Sequence, residues 1–121
     1  MEQLPPQVQQ QISQLQKVQQ QAQTLARQKQ QLELNLREAE RALEELSEIS
    51  EDAALYKSVG GVMVETNRLE AKKEQEDRRE NLNLRIKQIE RREERVNKKL
   101  EEMRAKIQDV IQKKQPSGEA G

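Results

Sequence analysis

The chain has 121 residues, of which 32% are hydrophobic and 1% aromatic, whereas apolar residues make up about 45–50% of an ordinary globular domain. A globular core of the usual thickness is therefore not expected. The 22 basic and 22 acidic residues balance, so the chain as a whole offers no strong electrostatic attraction to nucleic acid or to an anionic membrane.

Several residue types are absent, and their absence excludes whole classes of site. The chain has no histidine and no cysteine, which removes the usual proton shuttle, the thiol nucleophile and the common zinc ligands. With no catalytic constellation in view, we predict that the protein is not an enzyme and uses no cofactor or metal. No signal peptide or membrane-spanning run is found, and the lack of disulfides fits a reducing compartment, so a cytoplasmic protein is expected.

Residues 7–52 have the apolar pattern of a coiled-coil helix, preceded by a short N-terminal tip at residues 1–6. Pro5 and Pro6 are compatible with a helix start, and apolar residues then recur at alternating steps of three and four, interrupted only at Lys29. The seam residues are Leu15, Val18, Ala22, Leu25, Leu32, Leu36, Ala39, Leu43 and Leu46. The glutamine-rich beginning could instead be a disordered low-complexity tract, but glutamine is a good helix former and the heptads persist through it.

Residues 53–66 do not fit a helix and instead predict a β-hairpin. Two short runs rich in valine flank Gly60 and Gly61, and a glycine pair between two strands favours a two-residue turn. The predicted cross-strand pairs are Val59 with Val62, Lys57 with Val64, and Leu55 with Thr66.

Both faces of this hairpin are partly apolar. One face carries Leu55, Val59, Val62 and Val64, and the other carries Tyr56 and Met63. A lone hairpin of this size is marginal in water, and its outer edges offer unpaired backbone groups. We therefore predict that the chain is a subunit whose hairpin pairs with other hairpins in a larger sheet or barrel.

Residues 67–114 predict a second coiled-coil helix, and residues 115–121 a disordered tail. Asn67, followed by Glu70, forms a plausible capping box. The second seam is broken only at Glu93. Its apolar members are Leu82, Ile86, Ile89, Val96, Leu100, Met103, Ile107 and Val110.

Two such helices joined by a hairpin predict a single, mostly α domain, an antiparallel two-helix coiled coil whose residue 51 lies opposite residue 67. In this register Lys29 and Glu93 fall within one turn of each other, and either they form an ion pair that helps to set the register or each extends independently to water. Leu43 and Leu46 lie opposite polar residues, so a neighbouring subunit is expected to cover them.

The helix ends furthest from the hairpin carry apolar residues with few predicted covering partners, and such groups are expected to bind other apolar surfaces. These residues are Leu4, Val8, Ile12, Ile107, Val110 and Ile111. Closing the coiled coil is the expected main role of Ile107, whereas Leu4 and Ile111 are expected to be exposed. The basic run at residues 91–99 is interpreted as a solvated face rather than a phosphate-binding site, because glutamates are interleaved and aromatic residues are missing.

Three stretches give the chain a family resemblance: LPPQVQ at residues 4–9, EDAALYKSVGGV at residues 51–62 and IERREERV at residues 89–96. Together with the order coil, hairpin, coil, they closely resemble the β subunits of archaeal prefoldin, over nearly the whole chain except the tail. The residues around the hairpin are the specific part, because heptads alone occur in many families.

The resemblance implies an ATP-independent holding chaperone in the cytoplasm, a hexamer of two α-type and four β-type subunits. Its hairpins would join into β-barrels, and its coiled-coil tips would hold unfolded polypeptides and pass them to a group II chaperonin. The six apolar tip residues named above would contact clients. The assembly residues would be Leu55, Tyr56, Val59, Gly60, Gly61, Val62, Met63 and Val64. The alternatives are a coiled-coil scaffold or tether without client binding, and a nucleic-acid-binding coil that uses the net-positive second helix.

Overall fold

The structure, a computed structural model, describes residues 4–114 and contains two helices and a two-stranded antiparallel sheet. The elements follow in the order α1 (Pro6–Glu48), β1 (Leu55–Val59), β2 (Val62–Thr66) and α2 (Arg68–Lys114). The predicted combination of two long helices and a hairpin is confirmed. The tail predicted at residues 115–121 and the first three residues of the predicted tip lie outside the described part of the chain.

Helix α1 begins one residue before the predicted start at residue 7 and ends four residues before the predicted end at residue 52. At its start, the Gln9 amide donates to the Pro5 carbonyl at 3.0 Å, and the Gln9 side chain donates to the Leu4 carbonyl at 2.9 Å. At its end, the amides of Asp52 and Ala53 donate to the hydroxyl and the carbonyl of Ser50, at 3.3 and 3.1 Å. Serine side chains compete in this way with helical hydrogen bonds, so the helix stops at Glu48 rather than at residue 52.

The hairpin has the predicted register. Val59 pairs with Val62, and Leu55 pairs with Thr66 at the other end of the ladder. Gly60 and Gly61 have φ angles of 56° and 85°, which is the left-handed backbone that a type I′ turn requires at both central positions. This turn matches the twist of the two strands and leaves no extra residue between them.

Helix α2 starts at an N-cap formed by Asn67. Its side-chain oxygen accepts from the Glu70 amide at 2.9 Å, and its carbonyl accepts from the Ala71 amide, also at 2.9 Å. The Glu70 carboxylate accepts from the Thr66 hydroxyl at 3.4 Å. The predicted capping residue is therefore confirmed, and Glu70 also links the helix start to the end of β2.

The chain divides into two compact units, each built from parts of both helices. We call residues 29–88 the hairpin unit, and the described residues 4–28 and 89–114 the terminal unit. In the hairpin unit the buried apolar side chains are Ala39, Leu82 and Ile86. In the terminal unit they are Val8, Val18, Ile89, Leu100 and Ile107.

The seam residues predicted from the heptads are all buried or half-buried, whereas most residues between them are exposed. Within the hairpin unit, Arg78 lies 3.7 Å from Glu38, and the predicted register had placed residue 80 opposite Glu38. The heptad pattern therefore identified the buried face of each helix and, in the hairpin unit, the register to within a helical turn. Within residues 4–114, no helix is long and apolar enough to cross a membrane.

Candidate functional site

The outer half of the hairpin presents apolar side chains to solvent. Val59 is 53% exposed and Val62 63% exposed, and Val64 lies beside them on the same face. Tyr56 and Met63, on the opposite face, are also exposed. Contiguous apolar groups of this kind on a short two-stranded sheet are typical of a surface that is covered by a partner.

The inner half of the same hairpin face turns toward the helices of the hairpin unit. Leu55, Lys57 and Thr66 are half-buried, and they border a groove of about 810 Å³ between the hairpin, the end of α1 and the start of α2. The apolar residues that line this groove include Ala42, Leu46, Ile49, Leu55 and Ala71. Leu46 was expected to face polar residues only, but apolar residues of its own chain line the same groove. Its cover by a neighbouring subunit stays a prediction.

Arg68 joins the two helices at the base of the hairpin. Its Nε donates to the carbonyl oxygen of Leu46 at 2.8 Å, in a partly buried position. Leu46 lies in the last turn of α1, where carbonyl groups lack helical partners, and a cation is favoured there by the helix dipole. The Arg68 side chain, in the first turn of α2, thus supplies a hydrogen-bond donor to a carbonyl group at the end of α1.

Lys57 connects the hairpin to α2. Its Nζ lies 2.7 Å from Oε1 of Glu74, one helical turn beyond Glu70. The hydrogen bond to Glu74, together with Coulombic attraction to the same carboxylate, raises the pKa of Lys57 above its ordinary value of 10.5. With the hydrogen bond from Thr66 to Glu70, this ion pair gives the hairpin two polar attachments to α2.

The predicted client-binding residues differ in their exposure within the terminal unit. Leu4 is 44% exposed, as expected, whereas Val8 is only 1% exposed. The expectation that Val8 has few covering partners is wrong, because the chain itself covers that side chain. Ile107 is buried, which agrees with a main role in closing the coiled coil.

The remaining three predicted tip residues, Ile12, Val110 and Ile111, are half-buried, so Ile111 is less exposed than expected. Ile111 lines a groove of about 390 Å³ in the terminal unit, together with Leu15 and Ile107. Polar side chains of Arg104, Gln108 and Gln112 complete its lining. The terminal unit thus offers an exposed leucine and partly covered aliphatic residues rather than a continuous open patch.

Comparison with known proteins gives a consistent result over almost the whole chain. A family model described as prefoldin subunit matches residues 9–114. The chain belongs to the prefoldin subunit family.

Relatives named prefoldin subunit beta come from several archaea. The chain is 44% identical to that of Thermococcus gammatolerans over 108 residues, which are 89% of this chain and 92% of the relative. It is 38% identical to that of Saccharolobus islandicus over 117 residues, or 97% and 93% of the two chains. The crystal structure of the prefoldin beta subunit from Thermococcus strain KS-1 matches with a TM-score of 0.83 and 41% identity, covering 91% of this chain and 96% of that one.

The prefoldin family match at residues 9–114 includes the hairpin and most of both helices, whereas Leu4 and Val8 precede it. Sequence reasoning found the hairpin and the seams, but it missed the Arg68 and Lys57 contacts. These pairs join residues 22 and 17 positions apart, and neither periodicity nor spacing indicates such partners. The pairing of Lys29 with Glu93 stays a prediction.

Proposed function

We propose that this chain is a β-type subunit of an ATP-independent holding chaperone that acts in the cytoplasm. The assembled protein would hold unfolded polypeptides and pass them to a group II chaperonin. The observation that carries this proposal is the match to the prefoldin subunit family over residues 9–114, supported by archaeal relatives named prefoldin subunit beta at 38–44% identity.

Assembly would occur through the hairpin. Val59, Val62 and Val64 are exposed on one face and Tyr56 and Met63 on the other, so the strands leave apolar area and backbone edges for a partner. Pairing of several hairpins would cover both. The proposed assembly is a hexamer of two α-type subunits and four copies of this chain, in which the hairpins form intersubunit β-barrels.

Client binding would occur at the ends of the helices in the terminal unit. Leu4 offers an exposed aliphatic side chain, and Ile12, Val110 and Ile111 offer partly exposed ones. Val8 and Ile107 are covered, so they would reach a client only when the helix ends open. Each contact is small, but several subunits that touch one client raise the overall affinity while each contact still releases readily.

Truncation and point variants test this proposal together. Deleting residues 1–12 and 107–121 should abolish suppression of client aggregation without dispersing the hexamer. The double variant Leu4→Ser with Ile111→Ser should weaken suppression, whereas Leu34→Ser with Leu84→Ser should not, because it removes two exposed leucines of the hairpin unit.

Aggregation of an unrelated unfolded protein is followed by light scattering, and the hexamer by native mass. Full suppression by the truncated hexamer would contradict client binding at the tips. Failure of the wild-type hexamer itself to suppress aggregation would favour a scaffold without client binding.

A further inference from the structure

A groove on one flank of the terminal unit is lined by none of the proposed assembly or tip residues. It has a volume of about 730 Å³ and is lined by residues of both helices. We call it the flank groove. Its lining residues are Lys17, Gln20, Gln21, Thr24, Leu25, Gln28, Arg92, Arg95 and Val96.

All charged side chains that line the flank groove are positive. Lys17, Arg92 and Arg95 are exposed, and no carboxylate is among the lining residues. Within the described chain, none of these three cations forms an ion pair. The groove therefore holds three positive charges that are free to meet an anionic partner.

The rest of the lining is suited to a polypeptide. Leu25 and Val96 are half-buried seam residues and give the groove an apolar floor. Glutamine side chains along α1 can donate to carbonyl oxygens and accept from amides. This combination matches an extended chain that carries both apolar and acidic side chains.

The charge of the surrounding unit reinforces the same preference. Residues 4–28 and 89–114 contain 11 basic and 6 acidic residues, whereas residues 29–88 contain 11 basic and 14 acidic ones. From residue 4 to residue 32, α1 and the residues before it contain no acidic residue at all. An acidic segment that approaches the terminal unit thus meets a net positive surface.

We infer that the flank groove binds extended acidic segments of unfolded polypeptides, in which aspartate or glutamate alternates with aliphatic residues. This inference rests on the proposed holding function, since it names the kind of client segment that the terminal unit prefers. Single-stranded nucleic acid fits less well, because such sites combine cations with aromatic side chains that stack on bases, and the groove lining contains none. From Lys17 to Gln28 the helix rises about 16 Å, the length of about five residues of extended chain.

The test uses the full-length chain and fluorescein-labelled peptides of about eight residues, somewhat longer than the groove. One peptide combines glutamate with leucine and serine, and a second has lysine at each glutamate position. Fluorescence anisotropy should show that the acidic peptide binds at least about ten-fold more tightly than the basic one at low salt, with a preference that falls as salt is added. A uridine oligonucleotide of equal charge serves as the competing ligand.

Variants locate the site. The triple variant Lys17→Glu, Arg92→Glu and Arg95→Glu should bind the acidic peptide at least about ten-fold more weakly than the wild type. The control variant Arg27→Glu, Arg91→Glu and Lys98→Glu makes the same change in net charge at exposed positions of the terminal unit that do not line the groove. It should keep most of the affinity, and circular dichroism checks that both variants remain helical.

Equal binding of acidic and basic peptides by the wild type would overturn the inference, whether or not the variants fold. Equal losses in the groove and control variants would also overturn it, and so would tighter binding of the oligonucleotide than of the acidic peptide. A separate aggregation assay distinguishes the two proposals. If the protein suppresses aggregation but does not prefer the acidic peptide, only the flank-groove proposal fails. If it prefers the acidic peptide but does not suppress aggregation, only the proposed holding function fails.

Discussion

Arg68 and Leu46 hold the two helices together at the base of the hairpin. The guanidinium Nε donates to the Leu46 carbonyl at 2.8 Å, so the first turn of α2 satisfies a carbonyl that the end of α1 leaves without a helical partner. The strands lie between these two residues in the chain, and the Lys57–Glu74 pair attaches β1 to α2.

Replacing Arg68 with alanine should destabilise the fold. The variant loses a hydrogen bond from a charged donor and leaves the Leu46 carbonyl partly buried without it, a loss of about 1–3 kcal/mol in the free energy of unfolding. Arg68→Lys should recover part of the loss, because an ammonium group can also donate. Urea unfolding at one fixed protein concentration measures both. Equal stability of Arg68→Ala and wild type would show that the contact contributes nothing.

The Lys57–Glu74 pair predicts a specific dependence on alkaline pH. Because the folded pKa of Lys57 is raised above 10.5, the pair contributes stability that is fully present below that pH and is lost as the pH rises through the folded pKa. The difference in Tm between wild type and Glu74→Gln should therefore be constant near neutral pH and shrink above about pH 10.5. A matched Glu76→Gln variant should show no such change. A Tm difference between wild type and Glu74→Gln that disappears already near neutral pH would contradict a raised pKa for Lys57.

The geometry of the turn predicts which substitutions at Gly60 lower the free energy of unfolding most. An added side chain would meet no atom within 4 Å, but the φ angle of 56° lies in the left-handed region. Gly60→Val should cost at least about 1–2 kcal/mol in the free energy of unfolding, whereas Gly60→Asn should be close to neutral, because asparagine followed by glycine favours this turn. Thermal unfolding of the two variants under identical conditions measures the ordering, and equal values would argue against the type I′ geometry.

Variants of Val8 and Leu4 should distinguish a role in packing from a role in client binding. Val8 is buried, so Val8→Ala should lower the free energy of unfolding by about 1 kcal/mol or more. Leu4 is exposed, so Leu4→Ser should leave stability unchanged and reduce only the suppression of client aggregation. Unfolding curves and light scattering on the same preparations test the pair. If Val8→Ala lost suppression while keeping its stability and Leu4→Ser kept full suppression, Val8 rather than Leu4 would be the client-binding residue.

The periodic parts of the fold could be predicted from sequence because each rests on a local rule. Alternating steps of three and four identified the seams, and the glycine pair identified the turn and the strand register. The end of α1 was placed four residues too late, since Ser50 forms a turn that the helical pattern did not indicate. Arg68 and Lys57 could not be assigned partners, because these contacts depend on how the hairpin folds against the helices.

Only part of the candidate site could be predicted from the sequence. The exposed valines of the hairpin followed from strand alternation, and the exposure of Leu4 from its position before α1. The burial of Val8 was missed, since the sequence does not show which residues cover the first helical turn. The flank groove was missed as well: its three cations come from two helices, and only their packing places Lys17 beside Arg92 and Arg95.

Native mass spectrometry of hairpin variants tests most directly whether this chain is an assembly subunit. The wild-type chain mixed with an α-type prefoldin subunit should form a hexamer. The triple variant Val59→Ser, Val62→Ser and Val64→Ser should remain largely unassembled while keeping its helical circular dichroism, and Leu34→Ser with Leu84→Ser should assemble as the wild type does. A hexamer of unchanged mass and abundance from the triple variant would contradict assembly through the hairpin.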